Sequence, residues 1–284
     1  MGDDRVIRVL VPADDAAMRA FLTPRAATSM FLLSNSLAAG LVDEGKPLHA
    51  TYAGAFEAGE LVGVVAHCWN GMVLVQAPPE LLHELARFAV AQSRRAIAGF
   101  SGPSDQVAIA RGAFELPPAS VDELESLYSL ALADLHIPAA LARGDVTCRH
   151  PSASELPLLA AWRGAYHVES LGAVDNDELA TRAAREIDQL AARSHVWVLE
   201  HAGEVVALTG FNAYIPGMAQ VGGVYTPPAS RGRGYARCAV AGSLLDARDR
   251  GDTRAILFTP NPAAARAYEA IGFRRIGDYA LVMI

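Results

Sequence analysis

The sequence predicts a mixed α/β protein built from two tandem domains. Three observations carry this. First, 284 residues correspond to about two domains at roughly 150 residues each. Second, one order of elements (strand, two helices, three strands in hairpins, helix, strand, helix, strand) can be traced twice, with weak residue identity between the copies. Third, hairpin signals such as Asn70-Gly71 and Pro216-Gly217 join neighbouring strands. Tight hairpins make antiparallel pairs, so a purely parallel sheet is disfavoured.

In the first copy, Arg5 to Val11 is a β-rich run ended by Pro12. Asp14 and Asp15 then open a helix reaching Leu22, with acids in its first turn facing the positive helix end. A second helix runs from about Met30 to Leu41, with Gly40 near its end. The strands 51–56, 61–68 and 72–75 follow, the first two joined by Glu57-Ala58-Gly59-Glu60 and the last two by Trp69-Asn70-Gly71. Pro78-Pro79 ends the third strand, and Leu82, Leu85, Phe88 and Ala89 space a helix over residues 80–94. Residues 96–102 read as a strand and 104–113 as a short helix. Val121-Asp122-Glu123 reads as part of a polar passage, and 127–135 as the last strand of this half. The seam is expected at Pro138 to Asp145, giving domains 1–140 and 145–284.

The second copy starts with a strand at 146–150 and a helix from Ser152 or Ser154 through Trp162. A charged helix from Asp177 or Glu178 to Arg193 follows, with Asp175 and Asp177 as its expected capping pair. Strands are expected at 196–199, 205–209 and 220–225, the last ended by Pro227-Pro228. A helix, a strand at 255–258, a helix at 262–270 and a strand at 279–283 complete the half.

Composition narrows the function classes. Lys and Arg number 24 against 31 Asp and Glu, a net charge of −7. Hydrophobic residues make up 52% and charged residues 19%, which excludes a mainly disordered chain. A pI near 5.6 argues against a protein whose main task is gripping nucleic acid. Cys68, Cys148 and Cys238 are odd in number and lack CxxC spacing, so neither a disulfide framework nor a cysteine zinc site is expected. His67 and Cys68 have no second ligand pair at metal spacing, and no metal is expected. The start, Met1-Gly2-Asp3-Asp4-Arg5, is acidic and carries no apolar run, so no secretory signal is expected. The most apolar stretch, 61–82, is broken by His67, Asn70, Gly71, Pro78 and Pro79, which rules out one uninterrupted membrane helix. A soluble cytoplasmic protein is the expectation.

The most informative segment is Val224-Tyr225-Thr226-Pro227-Pro228-Ala229-Ser230-Arg231-Gly232-Arg233-Gly234-Tyr235-Ala236. A strand enters a glycine-bearing turn that opens a helix spaced by Ala236, Val240, Leu244 and Ala247. Glycines let backbone N–H groups approach a ligand, and the helix start adds unpaired amides and a positive dipole end. Arg231 and Arg233 add charge, so the segment suits a diphosphate. Read alone, it is first an exposed basic turn opening a helix, since short Gly/Arg turns are common. Gly-x-Gly-x-x-Gly and Gly-Lys-Ser/Thr loops are both absent from it.

Arg231-x-x-Gly234-x-Ala236 resembles the Gln/Arg-x-x-Gly-x-Gly/Ala signature of the Gcn5-related N-acetyltransferases (GNAT). The flanking strands and the segment from Asn261 to Phe273 resemble the same family, so the likeness covers residues 145–284. It implies an acyl-coenzyme A N-acyltransferase fold, acetyl-coenzyme A as cosubstrate and a primary amine as acceptor. Val224, Tyr225 and Thr226 would pair with the pantetheine arm. The amides of Arg231, Gly232, Arg233, Gly234, Tyr235 and Ala236 would hold the pyrophosphate, with Arg233 adding an ion pair. Asn261 is both a good helix cap before Pro262 and a position that often touches the coenzyme. Tyr268 would protonate the leaving thiolate, or else it is a half-buried core aromatic.

One departure stands out. Many members carry a carboxylate on the strand before the loop, and here that strand reads Gln220-Val221-Gly222-Gly223-Val224. The base is therefore open among His167, Glu169, Asp175, Asp177 and Glu200. The first half has no Arg-x-x-Gly-x-Ala; it reads Val75-Gln76-Ala77-Pro78-Pro79-Glu80 and resembles a degenerate copy. Two other readings compete with an acetyltransferase. One is a non-catalytic acyl-coenzyme A sensor; the other, a tRNA-dependent aminoacyl transferase, is opposed by the acidic pI.

Overall fold

The computed structural model describes residues 5–284; the acidic start at 1–4 lies outside the described residues. The chain forms two compact units. One contains residues up to Ser126 together with Gly277–Ile284, and the other Leu127–Ile276.

The first unit contains β1 (Val6–Val9), α1 (Asp15–Leu22), α2 (Ala26–Ala39), β2 (Ala50–Glu57), β3 (Glu60–Cys68) and β4 (Met72–Gln76). It continues with α3 (Pro79–Ser93), β5 (Gly99–Pro103), α4 (Ser104–Arg111) and the start of β6 (Val121–Ala131). Gly71 takes a φ of 79° in the turn from β3 to β4, the conformation Asn-Gly supplies cheaply. The strand order is β1-β2-β3-β4-β5, with only β4 and β5 parallel. Leu81, Leu82, Leu85, Ala86 and Ala89 of α3 repeat at helical spacing and bury against Val65, Val73, Val75 and Phe100 of the sheet.

The second unit follows the same order. It holds the end of β6, a short helix α5 (Ala139–Ala142), β7 (Thr147–Arg149), α6 (Leu156–Leu171), α7 (Asp177–Ala192), β8 (Val196–His201) and β9 (Glu204–Ile215). Then come β10 (Met218–Tyr225), α8 (Tyr235–Asp249), β11 (Arg254–Thr259), α9 (Pro262–Glu269) and the first residues of β12 (Arg274–Met283), whose remainder from Gly277 belongs to the first unit. Its strand order is β6-β11-β10-β9-β8-β7, with β10 and β11 parallel. Side chains alternate across strands, so β8 feeds two layers. Trp197 packs with Phe211, Val240, Leu244 and Tyr268 beneath α8 and α9, whereas Val196 and Val198 pack with Leu159 and Ile187 beneath α6 and α7.

Four sequence expectations change. Val121-Asp122-Glu123, read as a polar passage, is strand, in which exposed Asp122 and Leu124 alternate with half-buried Val121, Glu123 and Glu125. The seam expected at 138–145 carries α5 inside the second unit; the chain passes between units within β6, after Ser126. Nor does the last strand stay with the second unit. Its residues Tyr279 to Met283 pair antiparallel with Pro103 to Gly99 of β5, because burying Ala280 and Val282 completes the first unit's core. The helix α7 is capped by Asn176, whose Oδ1 accepts from Leu179 N at 2.8 Å, and not by Asp175 or Asp177, both exposed.

Candidate active site

The chain between β10 and α8 builds a cleft from backbone upward. Parallel pairing of β10 with β11 runs from Met218 opposite Arg254 to Val221 opposite Leu257, and does not extend over 222–225. Register shifts on the β9 side and a φ of 61° at Gly223 bend β10 where this pairing stops. Val224, Tyr225 and Thr226 thus lie on a strand edge splayed from its parallel neighbour, the place the sequence resemblance assigned to a pantetheine arm.

Beyond Pro228–Ser230, a single 3-10 turn, Gly232 and Gly234 take φ of 77° and 78°, and Gly234 caps α8. A side chain at Gly232 would meet nothing within 4 Å, so the backbone there is open. The amides at the start of α8 have no intrahelical acceptors. A cleft of about 430 Å³ lies over this turn, lined among others by Thr226, Gly234, Ala236, Arg237 and Arg266. Thr226 Oγ1 is buried and has no hydrogen-bond partner. An orphaned hydroxyl beside open amides is what a bound diphosphate would satisfy, so the residues present fit coenzyme A.

Electrostatics favour an anion here. Arg233, Arg237 and Arg266 form no ion pair among the described residues. Arg231 is different: Nη2 binds Glu169 at 2.6 Å and Nε donates to the Thr226 carbonyl at 2.8 Å. Glu169 also accepts from the Tyr225 hydroxyl at 3.0 Å, and Arg231 beside it lowers its pKa. Arg231 therefore braces the loop with its side chain. Arg237 and Arg266, which the motif did not single out, reach the cleft instead. The signal for Arg237 was its place three residues past Gly234, one helical turn on.

The other expected residues separate by environment. Tyr235 is buried, its ring 5.5 Å from that of His201, so only its backbone faces the turn. Asn261 caps α9, its Oδ1 accepting from Ala263 N at 2.8 Å and Ala264 N at 3.3 Å. Tyr268 is 7% exposed, edge-on to Phe273, and burial followed by the nearby Tyr166 raises its pKa, keeping the phenol protonated.

Among the base candidates, Glu200 is bound by Arg149 at 2.7 Å and Glu169 by Arg231. His167 is buried on α6. Its Nε2 lies 2.8 Å from Glu186 Oε2, which also accepts from Arg163 Nε at 2.7 Å. Burial opposes ionisation of Glu186, but the hydrogen bond and charge from His167 and Arg163 outweigh it and hold the carboxyl at about 2. This group ties α6 to α7, and no sequence pattern singles it out, since Glu186 is one charge among many on α7.

No group of three or more His, Cys, Asp or Glu suited to a metal occurs among the described residues, and no described helix is long and apolar enough to cross a membrane.

Residues 158–273 match the model of the Acetyltransferase (GNAT) family. Solved structures with the same fold span nearly the whole chain. A GCN5-related N-acetyltransferase from Sphaerobacter thermophilus is 15% identical, with a TM-score of 0.57, covering 99% of this chain and 96% of that one. One from Kribbella flavida is 16% identical at a TM-score of 0.58, covering 91% and 94%. A tandem GNAT protein from the clavulanic acid biosynthesis pathway is 12% identical at 0.56, covering 99% and 98%. No curated protein matched the chain. At these identities the structures establish the fold alone, helices on a large mixed sheet as in those GNAT structures.

Proposed function

We propose that this chain, whose residues 158–273 form a domain of the GNAT acetyltransferase family, transfers an acetyl group from acetyl-coenzyme A to a primary amine by direct attack. The observation that carries the reading is the splay of β10 from β11 beside a glycine-opened helix start, with the orphaned Thr226 hydroxyl between them. Open strand edges would receive the amide-bearing arm at Val224, Tyr225 and Thr226. The turn from Arg231 to Ala236 would receive the diphosphate on its backbone amides, with Arg233, Arg237 and Arg266 supplying charge.

Acetyl-coenzyme A supplies a thioester. The chain's own task is to hold an uncharged amine against that carbonyl and to manage protons. A backbone amide near Val224 offers a hydrogen bond to the developing oxyanion. The C–N bond forms as the C–S bond breaks. Tyr268 gives its proton to the departing sulfur, and the proton lost by nitrogen returns through water to the phenolate. Tyr268, held protonated by burial, suits that role. Asn261 serves first as a helix cap, its side-chain oxygen already engaged by two amides.

The first unit reads as the degenerate copy. Its helix α3 opens on Pro78-Pro79-Glu80 without a glycine turn. At the end of β4, the Ala77 amide donates to Gln106 Oε1 at 2.9 Å, so a side chain from α4 already occupies the strand edge where a pantetheine arm would pair. A non-catalytic acyl-coenzyme A sensor is the second reading, favoured by the absence of a carboxylate on β10.

Calorimetric titration with acetyl-coenzyme A tests the assignment. One site per chain is expected, and Gly234→Glu abolishes it. Two sites would reopen the first unit, and no binding to a folded wild type would end the transferase reading. Coenzyme A release with a panel of amines then separates enzyme from sensor.

A further inference from the structure

We propose that Arg163 and Asn212 select the acceptor, and that the amine acetylated here carries a carboxylate. The inference rests on the acyl-transfer reading above.

Gly222 and Gly223 are the strand positions with no acid. Gly223 needs glycine for its φ of 61°, but Gly222 carries no such constraint. What both share is that the space of a side chain is already taken. A Cβ at Gly222 would overlap the Asn212 amide, and one at Gly223 would overlap the Arg163 guanidinium. The two glycines therefore bring two donor side chains from other elements, α6 and β9, onto one strand segment. That segment adjoins Val224, where the thioester would lie.

Both side chains have donors to spare. Arg163 is 12% exposed, and only its Nε has a protein acceptor, Glu186. Its Nη edge lies over Gly223 and has no hydrogen-bond partner among the described residues. Asn212 is exposed and falls in the register shift of β9, where Gln220 faces Ala213 and Val221 faces Phe211. The bulge turns it out of the ladder and over Gly222.

A guanidinium this buried normally satisfies most of its five donors. Arg163 uses one. Glu186 neutralises it but is shared with His167 and, at 3.9 Å, with Arg182, so two guanidinium charges meet one carboxylate and the group keeps a positive excess. A planar donor edge with residual positive charge, flanked by an amide donor, matches a carboxylate, which takes two parallel N–H bonds. The same charge disfavours a second ammonium, which sets amino acids above diamines as acceptors.

The test compares coenzyme A release for amino acids, their carboxamides and the matching diamines. Wild type is expected to favour the carboxylates by roughly tenfold or more in kcat/KM. Arg163→Gln collapses that preference, mainly through KM, and leaves acetyl-coenzyme A affinity unchanged by calorimetry. Arg163→Lys restores part of it. Asn212→Ala, at an exposed position, gives a smaller shift of the same kind and keeps the test open if the Arg163 variants fail to fold. A wild-type preference for carboxamides or diamines overturns the proposal. So does an equal fall in kcat for all amines in Arg163→Gln, which would place the guanidinium on the oxyanion. Binding of acetyl-coenzyme A without turnover of any amine also removes it and favours the sensor. Absence of acetyl-coenzyme A binding overturns the acyl-transfer reading itself.

Discussion

Tyr268 illustrates what a residue's surroundings decide. It sits in the core with Leu257, Ile271 and Phe273, and its hydroxyl is kept neutral by burial. Packing makes it a core aromatic, and the proposed proton donor is the same side chain seen from its hydroxyl end. Tyr268→Phe keeps the ring and removes the proton. The expected result is a fall in kcat of roughly 10²–10⁴-fold with acetyl-coenzyme A affinity unchanged, read by steady-state kinetics and calorimetry. An unchanged kcat would leave Tyr268 a packing residue alone. The same distinction explains what the sequence could convey. The Arg231 to Ala236 turn was legible because its chemistry is local: glycines, amides and a helix start lie within six residues. The placement of Arg163 and Asn212 was not legible, because it depends on two glycines on another strand leaving room for them.

The elements show the same division. The helices α3 and α8 follow directly from apolar spacing, and the β3–β4 hairpin from Asn70-Gly71. The pairing of α6 with α7 does so only in part, since beside Leu159 and Ile187 it uses a half-buried carboxylate that no periodicity reveals. Glu186 receives Arg163 from one turn of α6 and His167 from the next, fastening the two helices side by side. This has a signed consequence in acid. The folded protein holds Glu186 at about 2 against an ordinary value of 4.5, so between these values the unfolded chain binds more protons and stability rises with pH. The ion pairs contribute fully above about 4.5 and are lost as pH falls toward 2. Denaturation midpoints of wild type and Glu186→Gln are expected to differ most at neutral pH and to converge across that window. A constant difference down to pH 2 would show that the variant acts through packing and not through the charge. Convergence above pH 5 would mean that another group controls it.

At the scale of the whole molecule, the order of elements was readable twice over, yet the place where the chain changes unit was not. The reason lies in β12. Its alternating residues suit the end of either half, and only the burial of Ala280 and Val282 with Val73, Val75 and Phe100 decides the matter. As a result the first unit cannot complete its sheet from its own half of the sequence. Ser120 N and Ser120 Oγ both donate to the Met283 carbonyl, a contact spanning 163 residues, and β5 finds its partner in the last strand. Closure over such separations is slow, since loop entropy is lost before any contact forms. Removal of residues 277–284 is therefore expected to weaken the first unit first. Hydrogen exchange of the truncated chain should show lost protection in β5 and α4, where the missing strand paired and packed. The amides of α8 and β10 should keep theirs, along with acetyl-coenzyme A binding. Val282→Asp, which buries a charge in the same core without shortening the chain, should reproduce the pattern. Equal loss of protection in β5 and α8 would mean that the two units unfold as one, and that the last strand supports the coenzyme site as much as the half it completes.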